Sequence, residues 1–241
     1  MRLTVVIPTL NEAAALPTTL AQAQAVPEVQ EILVSDGGSQ DATQSIAEAA
    51  GARWITGERG RGAQLRVGAT AATGDVIVLV HADTWLPPDA GRSIAAALAP
   101  TGNESVSRGS CAPVVGGGFH KVFRDAPWLL RSTARWRSAA YFHLTGRLFG
   151  DQAIFVRREV LAAIGGIPSL PLMEEFALCR ALQTQGRLAL ASATVSTSAR
   201  RFERHGVLRT WWLMARLQWS WRRGATPEEL ARQYARSSDR H

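Results

Sequence analysis

Lysine is almost missing from this chain. Lys121 is the only one among 27 lysines and arginines, so the net charge of +7 is an arginine charge. Such a bias follows from a GC-rich coding sequence as readily as from selection for bidentate contacts. What remains is a positive field, which favours phosphate-bearing ligands, nucleic acid or an anionic membrane. Cysteine is scarce too: Cys111 and Cys179 stand far apart, outside any Cys-x-x-Cys or Cys/His spacing. That excludes a disulfide framework and a zinc site of recognisable spacing, and it fits reduced thiols. No apolar run reaches the ~18 residues that a membrane span needs. The short run in MRLTVVIPTLNE meets Asn11 and Glu12 before it could serve a signal peptide. The expectation is a cytoplasmic protein whose only membrane contact is peripheral, at the inner membrane face. Internal repeats and low-complexity linkers are absent.

A dinucleotide fingerprint is also lacking. Gly-x-Gly-x-x-Gly should follow the first strand, and PTLNEA stands there instead. No Walker lysine motif exists, and the lone pair Gly60-Arg61-Gly62 marks a loop more often than a phosphate cradle.

What is present is an alternation. The 241 residues, 46% hydrophobic and 20% charged, suit one folded domain. Apolar, β-branched runs at Leu3–Pro8, Glu31–Ser35, Ala52–Ile55 and Asp75–Val80 alternate with Ala-rich helical segments at Ala13–Ala25, Asp41–Ala50 and Ala63–Thr73. Gly51 and Gly74 suit left-handed helix ends, and Ser39 or Asp41 suits a cap. The strands read as continuous apolar runs, the pattern of parallel strands buried on both faces. Further on, Ser105–Gly118 reads as a loop leading into a strand through about Val122. Helices are expected over Asp125–Thr145, Arg158–Ile164 and Glu174–Gln185, and a strand over Arg187–Val195. Thr226-Pro227-Glu228-Glu229 predicts a capping box and a last helix from Pro227 to about Ala235.

In an open α/β sheet, ligands bind outside the carboxyl ends of the strands. Thr9, Asn11 and Glu12 follow the first strand, Asp36 the second, Arg59 and Arg61 the third, and His81 and Asp83 the fourth. An Asp at such an end suits a hard divalent cation, which takes oxygen ligands and shares its shell with phosphates.

VVIPTLNEA, EILVSDGGSQDAT, GRGAQL and GDVIVLVHADT, in that order, resemble the opening of family 2 glycosyltransferases, an inverting group with the GT-A fold. GDQAIFVRREVLAAIGGIP and MEEFALCRAL resemble the acceptor side of the same fold. The HADT ending resembles a small soluble bacterial subgroup. The resemblance implies an open, mostly parallel sheet flanked by helices in one domain. Residues 1–100 would form the nucleotide-sugar half, 101–204 the acceptor half and 205–241 the C-terminal helices. It implies a UDP- or GDP-linked sugar donor, an unidentified acceptor hydroxyl, and Mn2+ or Mg2+ held by Asp83.

The implied donor contacts are Pro8, Thr9, Glu12, Asp36, Arg61, Gln64, Ala82 and Asp83, with Asn11 a candidate cap of the first helix. For Asp36, an Asx-turn with Gly37 and Gly38 competes with a base or ribose contact. His81 replaces the first Asp of the family's D-x-D motif, and packing competes with a contact to ribose or phosphate. Glu175 stands where the family has its catalytic Asp, with Glu174 the runner-up; both also suit the first turn of a helix. Asp151 and Gln152 would lie near the donor sugar or acceptor, or form a turn. Arg200 and Arg201 would close over the diphosphate, or be solvated charges.

The segment 207–224 gathers Trp211, Trp212, Trp219 and Trp221 among arginines. It reads as a helix packed on the domain, with a peripheral lipid contact as the rival. Two other functions compete with sugar transfer. A nucleotidyltransferase would need a Gly-rich activating loop where PTLNE stands. An Arg/Trp nucleic-acid binder would leave Asp36, Asp83 and Glu175 unexplained, so no nucleic-acid partner is expected.

Overall fold

The strand that opens the chain becomes the middle of the sheet, because two later strands pair with it in parallel. A computed structural model of the chain describes residues 1–99, 112–126 and 128–238. The first half runs β1 (Leu3–Thr9), α1 (Leu16–Gln24), β2 (Val29–Asp36), α2 (Thr43–Ala49), β3 (Arg53–Thr56), α3 (Arg61–Ala71), β4 (Val76–Leu79), β5 (Thr84–Trp85) and α4 (Ala90–Leu98). The second runs β6 (Val114–Phe123), α5 (Trp128–Thr145), a 3-10 turn at Gly150–Gln152, β7 (Ile154–Arg157), α6 (Arg158–Ala163), α7 (Glu174–Leu182) and β8 (Arg187–Thr197). Three helices follow: α8 (Arg200–His205), α9 (Val207–Arg222) and α10 (Pro227–Ser238).

The sheet order is β3-β2-β1-β4-β7-β6-β8-β5. The first four strands are parallel, as their apolar runs predict. The second half departs from that pattern. β7 lies antiparallel to both β4 and β6, β6 and β8 are parallel, and β5 is antiparallel to β8. Neighbouring residues of β1 serve opposite faces. Leu3, Val5 and Ile7 meet α1, α2 and α4, whereas Val6 meets α3, α6 and α7 through the other core. Each large side chain so buried contributes roughly 1.5 to 3 kcal/mol, and a strand covered on both faces shows no polar stripe in sequence.

Gly51 ends α2 with φ 72°, as expected, but Gly74 is not a left-handed cap. Its N–H donates to Thr4 Oγ1 at 2.9 Å, and a Cβ there would lie 2.8 Å from the Thr4 nitrogen. Close approach to β1, not turn geometry, requires that glycine. The sequence reading left α4 and β5 unassigned. Thr226 and Glu229 form the expected capping box, each accepting the other's backbone N–H. Cys111 and most of the expected 105–118 loop lie outside the described residues. Among the described residues, no helix is long and apolar enough to cross a membrane.

Candidate active site

The parallel register of β1 and β2 sets Thr9 beside Asp36 at their carboxyl ends. Thr9 Oγ1 donates to Asp36 Oδ1 at 2.9 Å. The Gly38 and Ser39 N–H groups donate to Oδ2 at 2.7 Å each, and the Ser39 hydroxyl donates to Oδ1. Burial alone would raise the Asp36 pKa, but these donors outweigh it and hold the carboxyl below its usual range. The Asx-turn is thus the role that the geometry fills.

Gln64 is a tie of the same kind. Buried at 5% exposure, its amide donates to the carbonyls of Thr9 and Ser35, clamping two strand ends. Pro8 pairs with Ser35 one step earlier. Asn11 does not cap α1, which starts five residues later. Its N–H donates to Ser39 Oγ and its Oδ1 accepts from the Gln40 N–H, both at 2.8 Å. The turns after β1 and β2 are therefore laced together.

The HADT turn is fixed from both sides. Thr19 of α1 donates to the Ala82 carbonyl at 2.6 Å, and the Ser198 N–H donates to the Asp83 carbonyl at 3.0 Å. The β5–β8 pairing delivers Ser198, and Arg200 follows it. The Arg200 guanidinium forks onto Glu12 at 2.7 and 2.9 Å and presents Nε to Asp83 Oδ2 at 3.0 Å. Burial raises the Asp83 pKa, Arg200 pulls it down, and the charges of Glu12 and Asp151 push it up. Arg200, the first residue of α8, is thus an ion-pair partner of both Glu12 and Asp83. Arg201 follows it, with its side chain outside what the structure describes.

A second carboxylate centre is built on Arg61, the first residue of α3. Arg61 contacts Glu174 Oε1 through Nε and donates from Nη2 to Glu175 Oε2 at 3.0 Å. For Glu174, burial raises the pKa but Arg61 outweighs it, leaving the carboxyl lowered. For Glu175, burial is the largest effect. Arg61 opposes it, the charge of Glu174 adds to it, and the pKa rises to about 7. The two glutamates line a pocket with His81, Gly150 and Leu178.

Burial, then the charge of Arg61, hold His81 down to about 4, so the imidazole is neutral at pH 7. Its Nε2 sits where a Cβ on Gly150 would be 2.5 Å away, so the GDQ glycine makes its room.

Asp151 accepts from Lys121 Nζ at 2.6 Å through both oxygens, and its charge is felt at both Asp83 and His81. It is therefore near both centres. Gln152 is fully buried, accepts from the Phe149 N–H and donates to the Phe119 carbonyl, the turn role that competed with a substrate contact. Its amide thus holds the turn with one donor and one acceptor bond. Sequence reasoning missed Lys121 as the partner of Asp151, where its ammonium also lies 4.7 Å over the Phe149 ring. Its being the only lysine was the available signal.

Three non-glycine residues have positive φ among the described residues: Asn11 (56°), Ala153 (46°) and Met173 (65°). Asn11 lies within PTLNE, Ala153 directly follows GDQ, and Met173 opens MEE. Such strain collects where surrounding structure fixes a site. The described residues contain no group of three or more His, Cys, Asp or Glu able to hold a metal. One carboxylate beside guanidinium does not make a protein cage. It does fit a hard cation that takes most of its oxygens from a diphosphate and water.

An open sheet with this pocket at its strand ends is the architecture of a nucleotide-sugar-type transferase fold. Residues 4–157 match the model of Glycosyl transferase family 2, and the chain belongs to that family. Uncharacterised glycosyltransferases of Mycobacterium tuberculosis and Mycobacterium bovis are 38% identical over 81 residues, 33% of this chain. The match spans 36% of those relatives, about a third of their length. Among solved structures, glucosyl-3-phosphoglycerate synthase from Mycobacterium tuberculosis, in complex with Mn2+, UDP and glucosyl-3-phosphoglycerate, superposes with TM-score 0.58. It is 21% identical, with 87% of this chain and 76% of that one covered. TarS of S. aureus, residues 1–349, gives TM-score 0.54 at 15% identity over 82% of this chain and 60% of that one. These likenesses establish the GT-A architecture.

Proposed function

We propose that the protein transfers a sugar from a UDP- or GDP-linked donor to an acceptor hydroxyl, with inversion at the anomeric carbon. The observation that carries this reading is the pair of carboxylate centres at one end of the sheet. Asp83 with Arg200 suits a diphosphate, and Glu175 with Arg61 suits a proton acceptor.

The nucleoside would rest on the laced turns after β1 and β2, with Pro8, Thr9 and Glu12 facing it and Asp36 holding the turn in shape. Arg200 would turn its guanidinium to the phosphate oxygens, aided by Arg201. Asp83 would hold Mn2+ or Mg2+, which neutralises charge on the leaving diphosphate. Glu175 would accept the proton of the acceptor hydroxyl as that oxygen attacks the anomeric carbon. The anomeric carbon–oxygen bond then breaks on the opposite face, and the nucleoside diphosphate leaves with the electron pair. A carboxylate near pH 7 in proton affinity is matched to that task. Glu174, kept ionised by Arg61, holds the guanidinium in place. Asp151 and Lys121 would border the sugar. The Mn2+ and UDP bound by the mycobacterial synthase, and its glucosyl-3-phosphoglycerate, support a metal-assisted nucleotide-sugar reaction on this fold.

A panel of nucleotide sugars, scored by thermal shift with and without Mn2+, tests it. A ligand that binds only the folded state raises the melting temperature by mass action. A UDP- or GDP-sugar should raise it, and more so with Mn2+. No shift from any nucleotide sugar under either condition would sink the reading.

A further inference from the structure

Among the described residues, the large apolar side chains left open to solvent concentrate on two helices. Trp128, Trp136 and Leu144 belong to α5, and Leu208, Trp212 and Trp219 to α9; Met1 and Val67 alone lie elsewhere. On α9 they form a stripe. Leu208 (79% exposed), Trp212 (63%), Ala215 and Trp219 (55%) follow one another at i, i+4, i+7 and i+11, all on one face. The rest of the helix is spent on the fold: Leu217 on the opposite face is fully buried with Met173 and Phe176, while Trp211, on one flank of the stripe, packs beside Leu130 and Ala134 of α5. The stripe is therefore surplus to the core.

Its charge decides what it suits. Arg209 and Arg216 follow one edge of the stripe, and Arg222 and Arg223 close its end. Arg216 lies 5.1 Å over the Trp212 ring and Arg223 3.9 Å over Trp219, so each exposed indole carries a guanidinium. Neither α5 nor α9 contains an acidic residue. The nearest carboxylates in sequence are Asp125, just before α5, and Glu203, Glu228 and Glu229 of α8 and α10, all off the stripe of α9. A second copy of the chain would bring arginine against arginine. A surface of anionic headgroups over acyl chains matches both halves of the pattern, with indoles at the boundary and arginines on phosphate.

We propose that α9, with the open tryptophans of α5 alongside, docks the protein on an anionic membrane surface. This stands independently of the sugar-transfer reading. The buried side of α9 packs on Met173 and Phe176, on either side of Glu174 and Glu175. Docking would thus set the acceptor side of the pocket close to the lipid surface.

Vesicle flotation of the full chain tests this. Phosphatidylcholine vesicles containing about 30% phosphatidylglycerol are compared with pure phosphatidylcholine. The anionic vesicles should carry at least about tenfold more protein, with the excess removed by high salt. Trp212→Ser/Trp219→Ser should lower that binding roughly tenfold at unchanged melting temperature, because both rings are outside the core. Arg222→Gln/Arg223→Gln should also lower it, providing a second reading if the tryptophan variant folds poorly. Equal recovery on the two vesicle types, or recovery on neither, overturns the proposal. So does a concentration-dependent dimer that the tryptophan variant abolishes, since the stripe would then belong to a second copy.

Discussion

Asp36 is buried and Glu175 largely so, and the two edges of the site hold these carboxylates in opposite states. Asp36 accepts four hydrogen bonds from Thr9, Gly38 and Ser39, so its charge is fixed and its loop is rigid. Glu175 shares one guanidinium with Glu174, and one positive charge cannot neutralise two carboxylates in a desolvated place. Glu175 consequently keeps a high proton affinity. A group saturated by donors makes a platform. A group left short of them can take a proton.

The largest expected effect breaks the acceptor edge. Glu175→Gln keeps the shape and removes the proton acceptor, so turnover should fall roughly 10²- to 10⁴-fold with donor affinity little changed. Glu174→Gln should cost less in the chemical step. The reverse ranking would make Glu174 the base, and full activity in both variants would move the search to Asp151. On the donor edge, Asp83→Ala should remove the Mn2+-dependent part of nucleotide affinity, a loss of at least about tenfold. Calorimetry with and without Mn2+ decides it. Equal nucleotide affinity under both conditions in the unmodified protein would mean an arginine-based site.

What the sequence made legible follows the same division. The strand-end polar residues of the first half were visible because β-α-β alternation puts each one at the same end of a parallel sheet. The partners of the second half were not. Arg61 meets Glu174 and Glu175 across more than a hundred residues, and Arg200 meets Glu12 across 188. Those meetings depend on β7 returning antiparallel and on β5 catching β8, neither of which the hydrophobic pattern announces. Gln64 and Gln152 lie in the segments that the resemblance marks, but nothing in a sequence says that their amides turn to backbone carbonyls. Residues 84–99 were passed over, although Pro87-Pro88-Asp89 before an Ala-rich run is a usable helix start.

The pH dependence should separate the two edges. Activity should rise with pH through about 7 as Glu175 loses its proton, and Glu175→Gln should flatten that limb. The stability effects have opposite signs. Glu175 has a raised pKa in the folded state, so its contribution is full in acid and is lost as pH rises through about 7. Asp36 has a lowered one, so its contribution is present above the unfolded value and is lost as pH falls through the folded value. Asp36→Ala should weaken nucleotide binding about tenfold, on the scale of 1.5 to 3 kcal/mol for a charge-assisted hydrogen bond. It should also flatten the acid limb of a melting-temperature profile. An unchanged acid limb would mean that the carboxyl does not hold its loop.

The smallest effect probes the platform at Asn11. Its φ of 56° is left-handed, and its side chain accepts the Gln40 N–H at 2.8 Å. Alanine loses that hydrogen bond, worth about 0.5 to 1.5 kcal/mol, and keeps the Cβ strain of the left-handed region, about 1 kcal/mol, without the local polar contact that offsets it in asparagine. Glycine loses the same bond without that steric penalty, at an added chain-entropy cost of about 0.4 to 1 kcal/mol. Urea unfolding should therefore rank asparagine first. Glycine and alanine should both fall below it by about 1 to 2 kcal/mol, with alanine the lower wherever strain exceeds entropy. If Asn11→Ala matches the unmodified protein, the lacing between the two turns contributes nothing to the platform. The fixed charge of Asp36 would then have to hold the donor edge without it.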